Sequence, residues 1–252
     1  MELPLSALGL LFLAGLTGGF VDSIAGGGGL ITVPALLWLG LPPQVALGTN
    51  KMQSACGTSL AVWRYAAAGL FSWREVRVAV AMTFVFAALG AWALTVFSNA
   101  VLEKLVPGML LIVVLYVLLS PSVGRERVRP RMAADAFGGV FGALIGFYDG
   151  FFGPGTGSFW MIALLSMLGL ELTRATAYTK VVNLSSNLAA LLIFTFKGCV
   201  LLPVALAMIA GQFIGAQLGS GLVLKHGGEL VRRVFLCVTS ALVLRLVWVK
   251  WF

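Results

Sequence analysis

Charge is scarce in this sequence. Only 10% of its 252 residues are Asp, Glu, Lys or Arg, against about 25% in a soluble domain. With 60% hydrophobic residues, that scarcity excludes a soluble enzyme, a disordered chain and a nucleic-acid module. Histidine is reduced to His226, in a basic loop, and cysteine to Cys56, Cys199 and Cys237. The cysteines lie inside apolar runs without metal-ligand spacing, so they read as buried small hydrophobes; neither a disulfide nor a metal site is expected. No His-Glu-x-x-His or Gly-x-Ser-x-Gly motif occurs, and the glycine clusters lack the Walker lysine and the dinucleotide spacing. No enzyme activity and no cofactor are therefore expected. The alternation of a membrane barrel is missing too. Met1-Glu2-Leu3-Pro4 has no basic n-region, so the first apolar run reads as a retained membrane segment, not a cleaved signal.

What the chain does contain is long apolar runs, each near the ~20 residues needed to cross a bilayer. Ten segments are read, at 4–22, 29–41, 44–68, 76–97, 101–120, 132–149, 157–170, 173–196, 201–224 and 230–249. The net charge of +8 comes from basic residues placed mostly between these runs. The positive-inside rule explains that placement better than a nucleic-acid partner does. The one clear polar break, 121–131, carries Arg125, Arg127, Arg129 and Arg131 and divides the chain into repeats at 1–120 and 132–252.

The halves resemble each other. Gly19-Phe20-Val21-Asp22 matches Gly146-Phe147-Tyr148-Asp149 at an offset of 127, and a glycine cluster follows each. Gly40, Ala46, Lys51, Gly69 and Gly90 then match Gly169, Ala175, Lys180, Gly198 and Gly219 at an offset of 129. A series in one order argues for duplication, as in many secondary transporters. Five segments per half is an odd number, so the second half is expected to be inverted. With the 121–131 linker in the cytoplasm, 11 basic residues fall on cytoplasmic ends and 3 on the other side, with both termini outside. Segments 29–41 and 157–170 are short for a crossing and can form re-entrant hairpins with the segments before them. The expected fold is an all-α polytopic membrane protein: two inverted repeats of about five hydrophobic segments, with Gly-rich broken or re-entrant helices near the midplane.

Polar residues inside such runs are the candidate site. Gly26, Gly27 and Gly28 (with Gly29) interrupt the first half, and Gly153-Pro154-Gly155-Thr156-Gly157 the second. Unwound backbone at membrane depth must be buried in protein or line a wet cavity. The short helix after each cluster turns its free N–H groups and positive dipole end toward the gap, which suits an anion. Small-residue packing accounts well for Gly15, Gly18 and Gly19, but poorly for four consecutive glycines. Asp22 and Asp149 precede the clusters and can cap the break or carry a coupling proton. Asn50, Ser54 and Thr58 form one polar stripe on the third segment, and Lys180, Asn183 and Asn187 another on its counterpart. Lys51 or Lys180 alone can snorkel to the interface. Their recurrence at matched positions, with amides and hydroxyls beside them, favours donors to a small oxyanion.

Gly19 to Gly29, Val33-Pro34 and Ala46-Leu47-Gly48-Thr49-Asn50-Lys51 resemble the TauE/SafE family of sulfite-exporter-like permeases, over nearly the whole chain. In the second half Tyr178-Thr179-Lys180 stands where Thr-Asn-Lys would be expected. The resemblance implies secondary transport of a small sulfur anion (sulfite, sulfoacetate, thiosulfate) across the cytoplasmic (inner) membrane, driven by an ion gradient. The expected partners are that anion and membrane lipid, with no nucleic acid. The rival readings are a passive anion channel and, from another class, a membrane-embedded enzyme or assembly subunit.

Overall fold

The computed structural model describes residues 5–119, 129–231, 233 and 234. Nine helices are set out among them: α1 (Leu5–Ala25), α2 (Gly29–Trp38), α3 (Pro43–Ala67), α4 (Trp73–Val96), α5 (Asn99–Leu119), α6 (Ala134–Phe151), α7 (Thr156–Met167), α8 (Leu172–Phe196) and α9 (Leu202–His226). There is no strand among the described residues. The expected segments coincide with these helices to within three residues at each end. Of the tenth, 230–249, only residues 230, 231, 233 and 234 are described, and they are helical. The rest of it, with Cys237, and the linker residues Arg125 and Arg127, lie outside the described residues.

Four helices are, by length and composition, long and apolar enough to cross a membrane: Ala7–Ala25, Trp73–Val96, Leu172–Phe196 and Leu202–His226. Burial is inverted relative to a soluble protein. Lys51 and Lys180 are buried, while Phe196 and Leu144 are 86% and 66% exposed. An outer surface of this kind calls for lipid rather than water. The chain is a multi-pass membrane protein.

Glycine sets the packing. α1 runs along α9, and α4 along α6. A Cβ on Gly146 of α6 would sit 2.8 Å from the Thr83 Cα of α4, and one on Gly19 of α1 would sit 2.5 Å from the Gln212 carbonyl oxygen of α9. Gly138, Gly142, Gly146 and Gly150 form a row spaced by four on α6, and Gly211, Gly215 and Gly219 another on α9, so backbones meet along whole helices. The sequence-matched glycines occupy equivalent places. Gly90 meets Phe147 and Phe151, and Gly219 meets Phe20 and Ser23. Gly69 and Gly198, both at φ +67°, close α3 and α8 with the same backbone bonds: Leu70 N–H to Tyr65 C=O at 3.1 Å, and Cys199 N–H to Phe194 C=O at 2.8 Å. This helix ending requires a left-handed residue, which explains the glycine there.

The loops segregate to two ends. At one end Arg174 pairs with Glu75 at 2.9 Å, the Arg131 N–H bonds Met167 C=O at 2.8 Å, and Arg77 lies 4.0 Å from Asp135. At the other, Gln44 Nε2 donates to Phe97 C=O at 2.7 Å, and the Leu201 N–H donates to Thr49 Oγ1 at 3.0 Å.

Candidate functional site

Two helix breaks and the middles of two long helices meet at one place. α1 gives way to α2 across residues 26–28, and α6 to α7 across residues 152–155. Gly26 and Gly153 leave their helices at φ +75° and +96°, a region that side chains rarely adopt. Gly155 is left-handed as well, at +82°. The two breaks touch each other. A Cβ on Gly26 would lie 2.6 Å from the Gly157 Cα, and one on Gly29 would lie 3.2 Å from the Pro154 Cα.

α3 and α8 bring side chains to this junction. Lys51 Nζ donates to Asp149 Oδ1 at 2.6 Å and to Asn187 Oδ1 at 3.1 Å. The other oxygen of Asp149 accepts from Ser186 Oγ. Lys180 Nζ donates to Asp22 Oδ2 at 3.0 Å. Each lysine is thus paired with the aspartate of the opposite half. A buried ion without a partner costs several kcal/mol, so breaking such a pair is far more damaging than never having it. Lys51 and Lys180 are 2% and 0% exposed; neither snorkels, and neither is a lone ammonium waiting for an anion to neutralise it. No backbone N–H of either break donates to the carboxylates, whose donors among the described residues are Lys51, Ser186 and Lys180. The N-cap residues of α2 and α7 are Gly28 and Gly155, with no side-chain cap bond at either.

A cavity of about 30 Å³ lies beside the pairs, where ~10–15 Å³ holds one water. The first half lines it with Asp22, Gly26, Gly29, Asn50, Lys51 and Ser54; the second does so with Asp149, Gly153, Gly155, Thr156, Gly157, Asn183 and Asn187. Four of the expected site residues stand back. Lys180 lies behind Asp22. Gly27 and Gly28 sit in the turn before α2. Thr58 is buried one turn beyond Ser54, and its hydroxyl has no partner among the described residues.

The walls are rich in donors. Asn50 Oδ1 accepts from Thr32 Oγ1 at 2.6 Å and from Gln53 Nε2 at 2.9 Å. That leaves the Asn50 amide N–H groups with no protein acceptor among the described residues. Asn187, its oxygen taken by Lys51, is in the same condition. The backbone N–H groups of Gly29, Gly155 and Gly157 have no acceptor among the described residues either. Acceptors are fewer; Asn183 Oδ1 is buried and unpaired. The four ionised side chains sum to zero charge. An oxyanion at this place would be held by directed hydrogen bonds and two helix N-termini rather than by a net positive charge.

Sequence reasoning did not reach Ser186, Thr32 or Gln53, which orient Asp149 and Asn50. It also did not pair the lysines with the aspartates. The available signal was electroneutrality: two lysines and two aspartates inside apolar runs, all at matched positions, are best housed as pairs.

Comparison with known proteins gives a family and several membrane-transporter relatives. The family model described as sulfite exporter TauE/SafE matches residues 11–246. A probable membrane transporter protein, ORF9, of Sinorhizobium sp is 41% identical over 97% of this chain and 94% of its own length. The probable membrane transporter protein YfcA of Escherichia coli is 39% identical over 96% and 90%. A probable membrane transporter protein of Haemophilus influenzae is 37% identical over 100% and 99%. No solved structure matches the chain.

Proposed function

The chain belongs to the TauE/SafE sulfite-exporter family of membrane transporters, and from that premise we propose that it is a secondary transporter of a small sulfur anion, of the sulfite, thiosulfate or sulfonate class, coupled to an ion gradient across the cytoplasmic membrane. The observation that carries the reading is the cavity between the crossed Lys51–Asp149 and Lys180–Asp22 pairs. Its unpaired groups are mostly N–H donors, and a sulfur oxyanion presents several acceptor oxygens in a small volume. A buried site with matched contributions from two halves suits alternating access; a passive pore needs no such pairing.

The same proposal includes two inverted repeats. Its support is the exchange of equivalent contacts: α1–α9 against α4–α6, Gly90 against Gly219, and each lysine against the other half's aspartate. At about 1.5 Å per residue, the 10 residues of α2 and 12 of α7 reach roughly half of a ~30 Å hydrocarbon core. We therefore read α1–α2 and α6–α7 as re-entrant broken helices meeting near the midplane. Arg64, Arg74, Arg77, Arg131 and Arg174 belong to the end holding the Arg174–Glu75 pair, and Lys197 to the other. By the positive-inside rule the first end is cytoplasmic.

The test is counterflow in proteoliposomes. Vesicles preloaded with sulfite, thiosulfate, sulfoacetate, methanesulfonate or a carboxylate are given labelled external anion of the same kind. Accelerated exchange with one of the sulfur anions is expected. Exchange with carboxylates alone would overturn the cargo class, and flux without acceleration by internal anion would overturn the carrier.

A further inference from the structure

The two crossed pairs match in sequence but not in chemistry. Asp149 has both oxygens filled, by Lys51 and by Ser186, and Lys51 has a second acceptor in Asn187. The position matched to Ser186 is Gly57, which has no hydroxyl to give. The position matched to Asn187 is Thr58, whose hydroxyl has no partner among the described residues. The Lys180–Asp22 pair is therefore held by one hydrogen bond. Asp22 Oδ1 has no donor among the described residues, and the Asp22 side chain is 16% exposed, against 5% for Asp149. Lys180 is wholly buried with one acceptor for its three N–H groups.

Other charges near Asp22 are few. Lys180 of α8 faces it, and Lys51 of α3 and Asp149 of α6 line the same cavity. The Tyr65 phenol of α3 donates to Ser23 C=O at 2.7 Å, and Arg64 donates to Gln217 C=O at 2.6 Å. α2 and α7 carry no ionisable residue. The ionisable groups of α9, Lys225 and His226, sit in its last turn, beyond Gly219, which meets Ser23.

Building on the anion-carrier reading, we propose that Asp22 is the proton-binding group of the transport cycle, and that the Asp22–Lys180 pair is the one that opens when cargo enters. Asp149–Lys51 stays closed as a fixed strut. A proton from solution goes onto the open Asp22 carboxylate oxygen, which dissolves the ion pair. The Lys180 ammonium, now uncompensated, is balanced by the incoming anion. Proton and monoanion enter together, and the site's net charge stays at zero.

The experiment measures proton uptake as methanesulfonate or ethanesulfonate, monoanions that gain no proton near neutral pH, is added to the purified protein in weak buffer. Calorimetry on the same sample reports the binding. The parent is expected to take up about one proton per bound anion, with affinity rising up to about tenfold per pH unit of acidification. In Asp22→Asn the proton uptake and the pH slope are expected to vanish, while Thr95→Ala, at an exposed hydroxyl of α4 away from the cavity, keeps both. Uptake that persists in Asp22→Asn would overturn the assignment. Should that variant fail to fold, Asp22→Asn with Lys180→Met removes the same pair as a unit and leaves no unpaired charge: proton uptake that persists there overturns the assignment, and its loss supports it. If neither sulfonate binds to the parent but sulfite or thiosulfate does, the monoanion cycle falls and the cargo reading stands; if no sulfur anion binds, both fall; if a sulfonate binds with no proton, only the inference falls.

Discussion

Lys51→Met is the perturbation whose size the structure sets most tightly. Methionine keeps the length of the side chain and removes its charge. The Lys51–Asp149 contact is 2.6 Å, with side chains 2% and 5% exposed, and a Cβ on Gly153 would lie only 3.0 Å from Lys51 Nζ. Little room is left for water to take over from the ammonium. Asp149 would keep its Ser186 bond and lose its counter-charge. Breaking a buried pair from one side costs about 3–5 kcal/mol, which is roughly a hundredfold or more in the folding equilibrium. The double variant Lys51→Met with Asp149→Asn leaves no unpaired charge and should recover more than half of that loss. The coupling energy is then expected to exceed about 2 kcal/mol. The assay is reversible unfolding in mixed micelles of the parent, both single variants and the double variant. Single variants costing under about 1 kcal/mol, or costs that simply add in the double variant, would refute the claim that this pair is a structural unit.

Three other outcomes follow from the same geometry. Gly155→Val is expected to abolish transport while leaving the protein in the membrane, because Gly155 sits at φ +82° and an added Cβ would strike Val113; normal flux would make the break a packing feature only. Gly146→Leu is expected to reduce folded protein several-fold in a detergent stability assay, since its Cβ would press on the Thr83 backbone; an unchanged melting temperature would contradict the close α4–α6 contact. In a cysteine-free background, Arg74→Cys should react with an impermeant thiol reagent only from the cytoplasmic side and Lys197→Cys only from the other; the reverse pattern would invert the topology.

The helices were legible in the sequence because apolar runs and their glycine stops are local signals. The run 76–97 became Trp73–Val96, and Gly69 and Gly198, noticed first as a matched pair, proved to be left-handed helix ends. Of the two polar stripes, Asn50 and Ser54 line the cavity, as do Asn183 and Asn187. Thr58, one turn further on, lies outside it, because the cavity ends before the stripe does. Lys180 shares the stripe of Asn183 yet stands behind Asp22, since which lysine fronts the cavity depends on how α1 and α8 cross. Pairing between halves is likewise a tertiary fact. Spacing within one helix cannot show that Lys51 meets Asp149, 98 positions away. The glycine rows of α6 and α9 were visible as spacing by four, but only the neighbouring helix reveals that they are contact seams.

The most direct test of the central claim is uptake of labelled thiosulfate and sulfite into proteoliposomes under an imposed pH gradient, with the parent and Lys51→Met compared at equal amounts of folded protein. The account predicts saturable uptake of at least one of these anions, driven by the gradient and collapsed by a protonophore, and falling by orders of magnitude in Lys51→Met. Uptake that rises linearly with concentration, ignores the gradient, or is the same in Lys51→Met would contradict it.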